Sequence, residues 1–192
     1  VVLRPHTRQV IAELEDLLPL EPDYVAAVTP YYYGVSQATL IDHYRRIADA
    51  STVPVLLYNI PQNTHNSIEL ETIETLAEHP NIVGIKDSSG SFVSFSRGML
   101  RNGNNGFAWI QGEDLLDAPS LMCGSPGLVT GLGNVWIEPY VTLYHAAQRG
   151  DIEAAKAEQR KINALAGIID VAGGAVIPAI KMAAALLGRG NG

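Results

Sequence analysis

The chain has 192 residues, 47% hydrophobic and 17% charged, which suffices for a sizeable core and is too apolar for a disordered segment. A formal net charge of -7 argues against non-specific nucleic-acid binding, and a single cysteine, Cys123, excludes an intramolecular disulfide framework and suits a reducing, cytoplasmic setting. No apolar run reaches the ~18 residues of a membrane span, and the N-terminus has neither the regions of a signal peptide nor an initiator methionine.

Short apolar runs alternate with stretches of helical period, the pattern of βα units on a parallel sheet. Val1-Val2-Leu3 reads as the tail of a strand. Thr7 is placed to cap a helix whose apolar positions are Val10, Ile11, Leu14, Leu17 and Leu18. A strand at 24–28 leads into Thr29-Pro-Tyr-Tyr-Tyr33. Ser36 caps the next helix, and a strand at 53–58 follows. Asn66-Ser-Ile-Glu69 has capping-box spacing ahead of Leu70, Ile73, Leu76 and Ala77.

Further strands are expected at 82–86, 107–111 and 127–130, with helices at about 92–101 and from Asp114 to about Met122. Asn134 to Gln148 reads as a helix stopped at Gly150, and Asp151 caps another. Residues 151–170 and 178–187 are Ala-rich helices with no strand between them. The expected division is therefore 1–148, βα units with about six strands, and 149–192, a helical extension. A closed (β/α)8 barrel needs eight strands and about 250 residues. An open doubly wound sheet is the alternative, but its G-x-G-x-x-G signal is missing between an early strand and helix.

In either parallel architecture ligands bind at the carboxyl ends of the strands. Tyr58 and Lys86 stand at such ends in consecutive units. A lone lysine there is more often a solvated surface charge, and a lone tyrosine more often a core-edge residue. Together they suit one chemistry. Apolar strand interior disfavours the ammonium form of a lysine, leaving an amine free to attack a ketone. The resulting iminium is an electron sink for breaking or forming an adjacent C–C bond, and a tyrosine hydroxyl can carry the protons the cycle requires. Asp87 alternates to the other side of the strand. His43, His65, His79 and His145 show no metal-ligand spacing, and Cys123 reads as a small buried hydrophobe.

Five motifs occur in order with βα-unit spacing: Thr29-Pro-Tyr-Tyr32, Tyr58-Asn-Ile-Pro61, Gly84-Ile-Lys86-Asp-Ser-Ser-Gly90, Gly112-Glu-Asp114 and Gly127-Leu-Val-Thr-Gly131. The set resembles the dihydrodipicolinate synthase / N-acetylneuraminate lyase family of Schiff-base aldolases, from about residue 7 to the end. The resemblance implies a (β/α)8 barrel, here incomplete at its N-terminal side, with a C-terminal helical extension. It also implies a homo-oligomer, usually a tetramer of tight dimers, acting on a 2-oxo acid such as pyruvate with no cofactor or metal. Lys86 is then the imine-forming lysine and Tyr58 the proton relay. Tyr32 is the residue that members insert into a neighbouring subunit's site, and Gly127, Leu128 and Val129 form the pocket wall.

Three departures qualify this. The family's early Gly-Thr-Thr/Ser-Gly-Glu segment is missing, and Leu3-Arg-Pro-His6 stands where a Gly-rich turn is common. Asn63 occupies the place where dihydrodipicolinate synthases usually carry an arginine for a second substrate carboxylate. Asn63 weighs against the lysine-biosynthesis reaction, which stays as an alternative, while Pro61-Gln-Asn-Thr64 with His79-Pro-Asn-Ile-Val-Gly84 and Lys86-Asp-Ser88 resembles 4-hydroxy-2-oxoglutarate aldolase-like members. A truncated, non-catalytic relative is the reading from a different functional class.

Overall fold

The computed structural model describes residues 1–102 and 106–190. The chain packs as two compact units, Val1–Ile110 and Gln111–Gly192.

The first unit is built on a sheet in the order β1 (Val25–Val28), β2 (Val55–Asn59), β3 (Ile82–Asp87) and β4 (Ala108–Gln111). Neighbours in sequence are neighbours in space, and β1/β2 and β2/β3 pair in parallel, as helix-connected strands require. The intervening helices are α1 (Thr7–Leu17), α2 (Gln37–Ala50), the single turn α3 (Pro61–Thr64), α4 (Leu70–Ala77) and α5 (Phe92–Asn102). Alternate strand residues Val25, Ala27, Val55, Leu57, Ile85 and Trp109, with Phe107 just ahead of β4, bury against Leu40, Tyr44, Ile47, Ile73, Leu76 and Phe95 from the helices. With a period of two, Tyr58 and Lys86 fall on the opposite face from these core residues. Gly84 lies where the sheet is tightest: a Cβ there would meet the Ala108 carbonyl oxygen at 2.5 Å, so any larger side chain would force β3 and β4 apart.

The expected first strand is reduced to one bridge, Val2 to Ala27. Two expected caps are also absent. Thr7 lies inside α1, and its hydroxyl instead meets Nδ1 of His43 at 2.8 Å. Asn66 does not cap α4. Its amide donates to the carbonyls of Pro30 and Tyr33 (2.8 Å each), and its oxygen accepts from Val35 N at 2.8 Å. Three backbone groups in a loop without secondary structure outbid the helix end for this side chain. Ser36 caps α2 as expected, accepting from Thr39 N.

The second unit packs α6 (Asp117–Met122), α7 (Glu138–Gln148), α8 (Ile152–Val171) and α9 (Val176–Leu186) around Leu121, Leu132, Tyr140, Leu143, Ala155 and Ile162. The expected helix from Asp114 begins as a 3-10 turn, Asp114–Leu116. The helix expected from Asn134 is likewise a 3-10 turn, Leu132–Asn134, followed by α7, with Pro139 in the first turn of α7 where a missing N–H costs nothing. Residues 127–130 make one bridge, Leu128 to Gln111, rather than a strand. Cys123 is exposed, not buried, because it follows the last turn of α6. The boundary expected at residue 148 is not a boundary of packing. Leu143 and Ala146 share one core with Ala155 and Ile162. Asp151 caps α8 as expected, accepting from Ala154 N at 3.0 Å. Among the described residues no single helix is long and apolar enough to cross a membrane.

His43 provides a pH test of the first unit. It is buried between Thr7 and the Val28 carbonyl, and burial is the main reason its pKa falls from 6.5 to about 4. The unfolded chain therefore takes up this proton before the folded chain does. The contribution is complete above pH 6.5 and is lost as pH falls toward about 4, at a total of about 3 kcal/mol. Urea unfolding of the parent and of His43→Gln across that window should show the parent losing this extra stability. Parallel pH profiles would contradict it.

Candidate active site

The register of β2 and β3 sets Tyr58 opposite Lys86 and Asn59 opposite Asp87. On the face away from the helices, the Lys86 ammonium lies over the Tyr58 ring, 4.1 Å from its centroid. Both side chains are half-buried. A cation on a ring face gains ~0.5–2 kcal/mol depending on desolvation, so the contact itself holds the two side chains together.

The residues that follow in each strand turn to the other face. Asn59 and Asp87 are buried, and Asn59 Nδ2 donates to Asp87 Oδ1 at 3.1 Å. The same carboxylate oxygen accepts from Ser89 N at 2.9 Å, and Asn59 Oδ1 accepts from Ile68 N at 3.1 Å. Ser88 N donates to the Asn59 carbonyl at 2.8 Å, and Gln62 Nε2 to the Ser88 carbonyl at 2.7 Å. Burial pushes the Asp87 carboxyl above the usual carboxylate range, opposed by its bonds to Ser89 and Asn59. A cleft of about 510 Å³ opens on this side, lined in part by Asn59, Asp87, Ser89, Ser94, Arg97 and Trp109. Neither Lys86 nor Tyr58 lines it.

The other expected site residues are placed as follows. Tyr32 is 78% exposed on the loop after β1, with a left-handed backbone (φ 81°) and its ring edge-on to Tyr33. Asn63 is exposed on α3. Gly127, Leu128 and Val129 belong to the second unit, where Gln111 N donates to the Gly127 carbonyl at 3.2 Å and Val129 N to the Gln111 carbonyl at 2.8 Å.

In that second unit Asp114 is a hub. Its carboxylate accepts from the Tyr140 hydroxyl at 2.5 Å, from the Thr130 hydroxyl, and from Gly131 N at 3.4 Å. Gln159 Nε2 donates to its carbonyl at 3.0 Å. Burial, then the bond to Asp114, pushes the Tyr140 phenol upward. One helical turn on, Asp117 is 1% exposed, and its Oδ2 has no hydrogen-bond partner among the described residues. Burial, followed by the charges of Asp114 and Glu113, pushes its carboxyl up to about 9. Among the described residues no three His, Cys, Asp or Glu side chains gather as a metal site would need.

The pattern of the dihydrodipicolinate synthetase family matches residues 22–191. The chain belongs to the dihydrodipicolinate synthetase family. An uncharacterized DapA-like lyase of Halobacterium salinarum is 39% identical over 82% of this chain and 51% of its own length. A 4-hydroxy-tetrahydrodipicolinate synthase of Methanospirillum hungatei is 39% identical over 70% of this chain and 46% of its own. Among solved structures, the E. coli prophage protein YagE, a member of the same family crystallised with pyruvate, superposes with a TM-score of 0.89 at 28% identity, covering 97% of this chain and 63% of that one. The chain thus spans about half the length of the curated relatives it matches. Its fold is that of the family's (β/α)8 barrels with C-terminal helices, incomplete relative to the solved chains, and not an open doubly wound sheet.

Motif and alternation single out Lys86 and Tyr58, which the register of β2 and β3 sets opposite one another. They did not find Asn59, Asp117 or Tyr140, since nothing in a single sequence says that a strand-end amide bonds across to the next strand, or that an aspartate in an amphipathic stretch turns inward.

Asp117 yields a prediction of opposite sign to His43. Its folded pKa is raised from 3.8 to about 9, so its contribution is most favourable below 3.8 and declines as pH rises toward 9. Asp117→Asn should remove that decline. Denaturation midpoints measured across this range should diverge, with the variant gaining on the parent as pH rises. A constant difference would show that the carboxyl ionises normally.

Proposed function

We propose that the protein is a Schiff-base lyase, a class I aldolase that cleaves or forms a C–C bond next to a 2-oxo acid such as pyruvate. The observation that carries this reading is the Lys86 amine held 4.1 Å from the centre of the Tyr58 ring at adjoining strand ends. The family membership and the pyruvate complex of YagE support it.

In this reading the Lys86 amine adds to the ketone carbon to give a carbinolamine. The Tyr58 phenol delivers a proton to the departing hydroxyl, and water leaves to form the iminium. In cleavage, the hydroxyl on the far carbon loses its proton and that carbon departs as an aldehyde. The electron pair of the broken bond flows to the iminium nitrogen, giving an enamine. Protonation at carbon regenerates the iminium, and water releases the 2-oxo acid and the free amine. Every step balances with water and protons alone, so the reading assigns no cofactor and no metal.

The remaining roles follow the same reading. Gly127, Leu128 and Val129 supply the wall beside the keto acid. Tyr32, exposed and held in its loop through the Asn66 bonds to Pro30 and Tyr33, reaches a second copy in a homo-oligomer, a dimer or tetramer. Asn63 cannot pair with a second carboxylate as an arginine does, which weighs against the synthase reaction; the 4-hydroxy-2-oxoglutarate aldolase-like reading rests instead on the resemblance carried by Pro61-Gln-Asn-Thr64, His79-Pro-Asn-Ile-Val-Gly84 and Lys86-Asp-Ser88. A cytoplasmic setting accords with the lone exposed thiol of Cys123.

Incubation of the native protein with pyruvate and borohydride should attach one reduced pyruvyl group to Lys86, located by peptide mass mapping. Lys86→Ala should abolish the adduct while leaving the fold intact. Tyr58→Phe should still trap the imine but turn over slower by about 10²-fold or more. A parent protein without adduct would favour a non-catalytic relative, and a fully active Tyr58→Phe would remove Tyr58 from the mechanism.

A further inference from the structure

We infer that Asn59 and Asp87 are positioning residues for the Lys86/Tyr58 pair, a latch on the far side of β2 and β3 that fixes the register of the two strand ends. The inference rests on the lyase reading above and adds residues that touch neither the reacting amine nor the phenol.

The argument is geometric. Two consecutive residues of β2, Tyr58 and Asn59, face two consecutive residues of β3, Lys86 and Asp87. The first pair points to one face and the second pair to the other. A shift of one residue between the strands would therefore separate both pairs at once. The β2/β3 ladder already carries an irregularity between Val55 and Leu56, so regular pairing along the strands does not by itself secure the register at their far ends. Beyond those ends the chain enters a turn, with Gly90 in a left-handed conformation (φ 76°).

What secures the ends is side-chain bonding. Asp87 Oδ1 accepts at once from Asn59 Nδ2 across the strands and from Ser89 N in the turn. Asn59 also spends its oxygen on Ile68 N ahead of α4. Both side chains are 4% exposed, so water does not compete effectively for these bonds. The requirement at each position is specific. Residue 59 must donate toward β3 and accept from Ile68 N, which an amide does and a carboxylate does not. Residue 87 must accept twice, which either a carboxylate or an amide oxygen does.

The test follows from that asymmetry. The rate of imine formation with pyruvate, read as borohydride-trapped protein against time, is measured for the native full chain and for Asp87→Asn, Asp87→Ala, Asn59→Asp and the exchanged pair Asn59→Asp with Asp87→Asn. Folding of each is checked by circular dichroism, and trapping is scored per folded molecule. Asp87→Asn should keep a near-parental rate. Asn59→Asp sets carboxylate against carboxylate and should slow imine formation roughly tenfold or more, as should Asp87→Ala. The exchanged pair restores a donor opposite an acceptor and should recover most of the loss. That recovery is a readout general destabilisation would not produce, and it decides the matter even where Asp87→Ala fails to fold. Parental rates in Asn59→Asp, or an exchanged pair no faster than Asn59→Asp alone, would overturn the latch. A parent that forms no adduct would overturn the lyase reading, and the latch with it.

Discussion

The parallel register of β2 and β3 is the constraint on which the rest depends. A strand presents its side chains with a period of two, so pairing Tyr58 with Lys86 decides which face receives the amine, which neighbour it meets, and which residues turn back toward the helices. The core on the helix side enforces that choice. Leu57 and Ile85 are fully buried there, and a slip of one residue would expose one of them and bury a charge. The chemistry proposed for Lys86 is thus secured by packing on the opposite face of the same strands.

Much of the fold was legible because βα units write themselves in short apolar runs and helical periods. Val25–Val28, Val55–Asn59, Ile82–Asp87 and Ala108–Gln111 lie within a residue or two of the runs that signal them. The misreadings share one physical cause: local signals gave way to tertiary partners. Asn66 has capping chemistry, but the carbonyls of Pro30 and Tyr33 claim it. Thr7 has capping chemistry, but His43 takes its hydroxyl. Residues 127–130 carry strand residues, but only Leu128 makes a bridge. The change from strands to helices near residue 148 is real in the sequence, yet packing does not divide there, because α7 and α8 share one apolar core.

The buried polar groups divide into two kinds. Asn59, Asn66 and Asp87 are satisfied by several partners each and serve as fasteners between loops and strand ends. Asp117 has a carboxylate oxygen with no partner among the described residues, beside the acidic Asp114 hub. A group of the first kind stabilises a particular geometry, whereas one of the second costs stability unless it holds its proton. The Lys86/Tyr58 pair is of neither kind. It is half-buried and held by a weak cation–ring contact, which leaves the amine accessible, as the proposed chemistry requires.

A crystal structure of the native protein soaked with pyruvate tests this account most directly. Continuous density from the Lys86 Nζ to the ketone carbon of pyruvate, with the Tyr58 hydroxyl within hydrogen-bonding distance of the adduct, is the predicted result. Pyruvate bound without a covalent link, or joined to Lys156, Lys161 or Lys181 while Lys86 points into solvent, would contradict it.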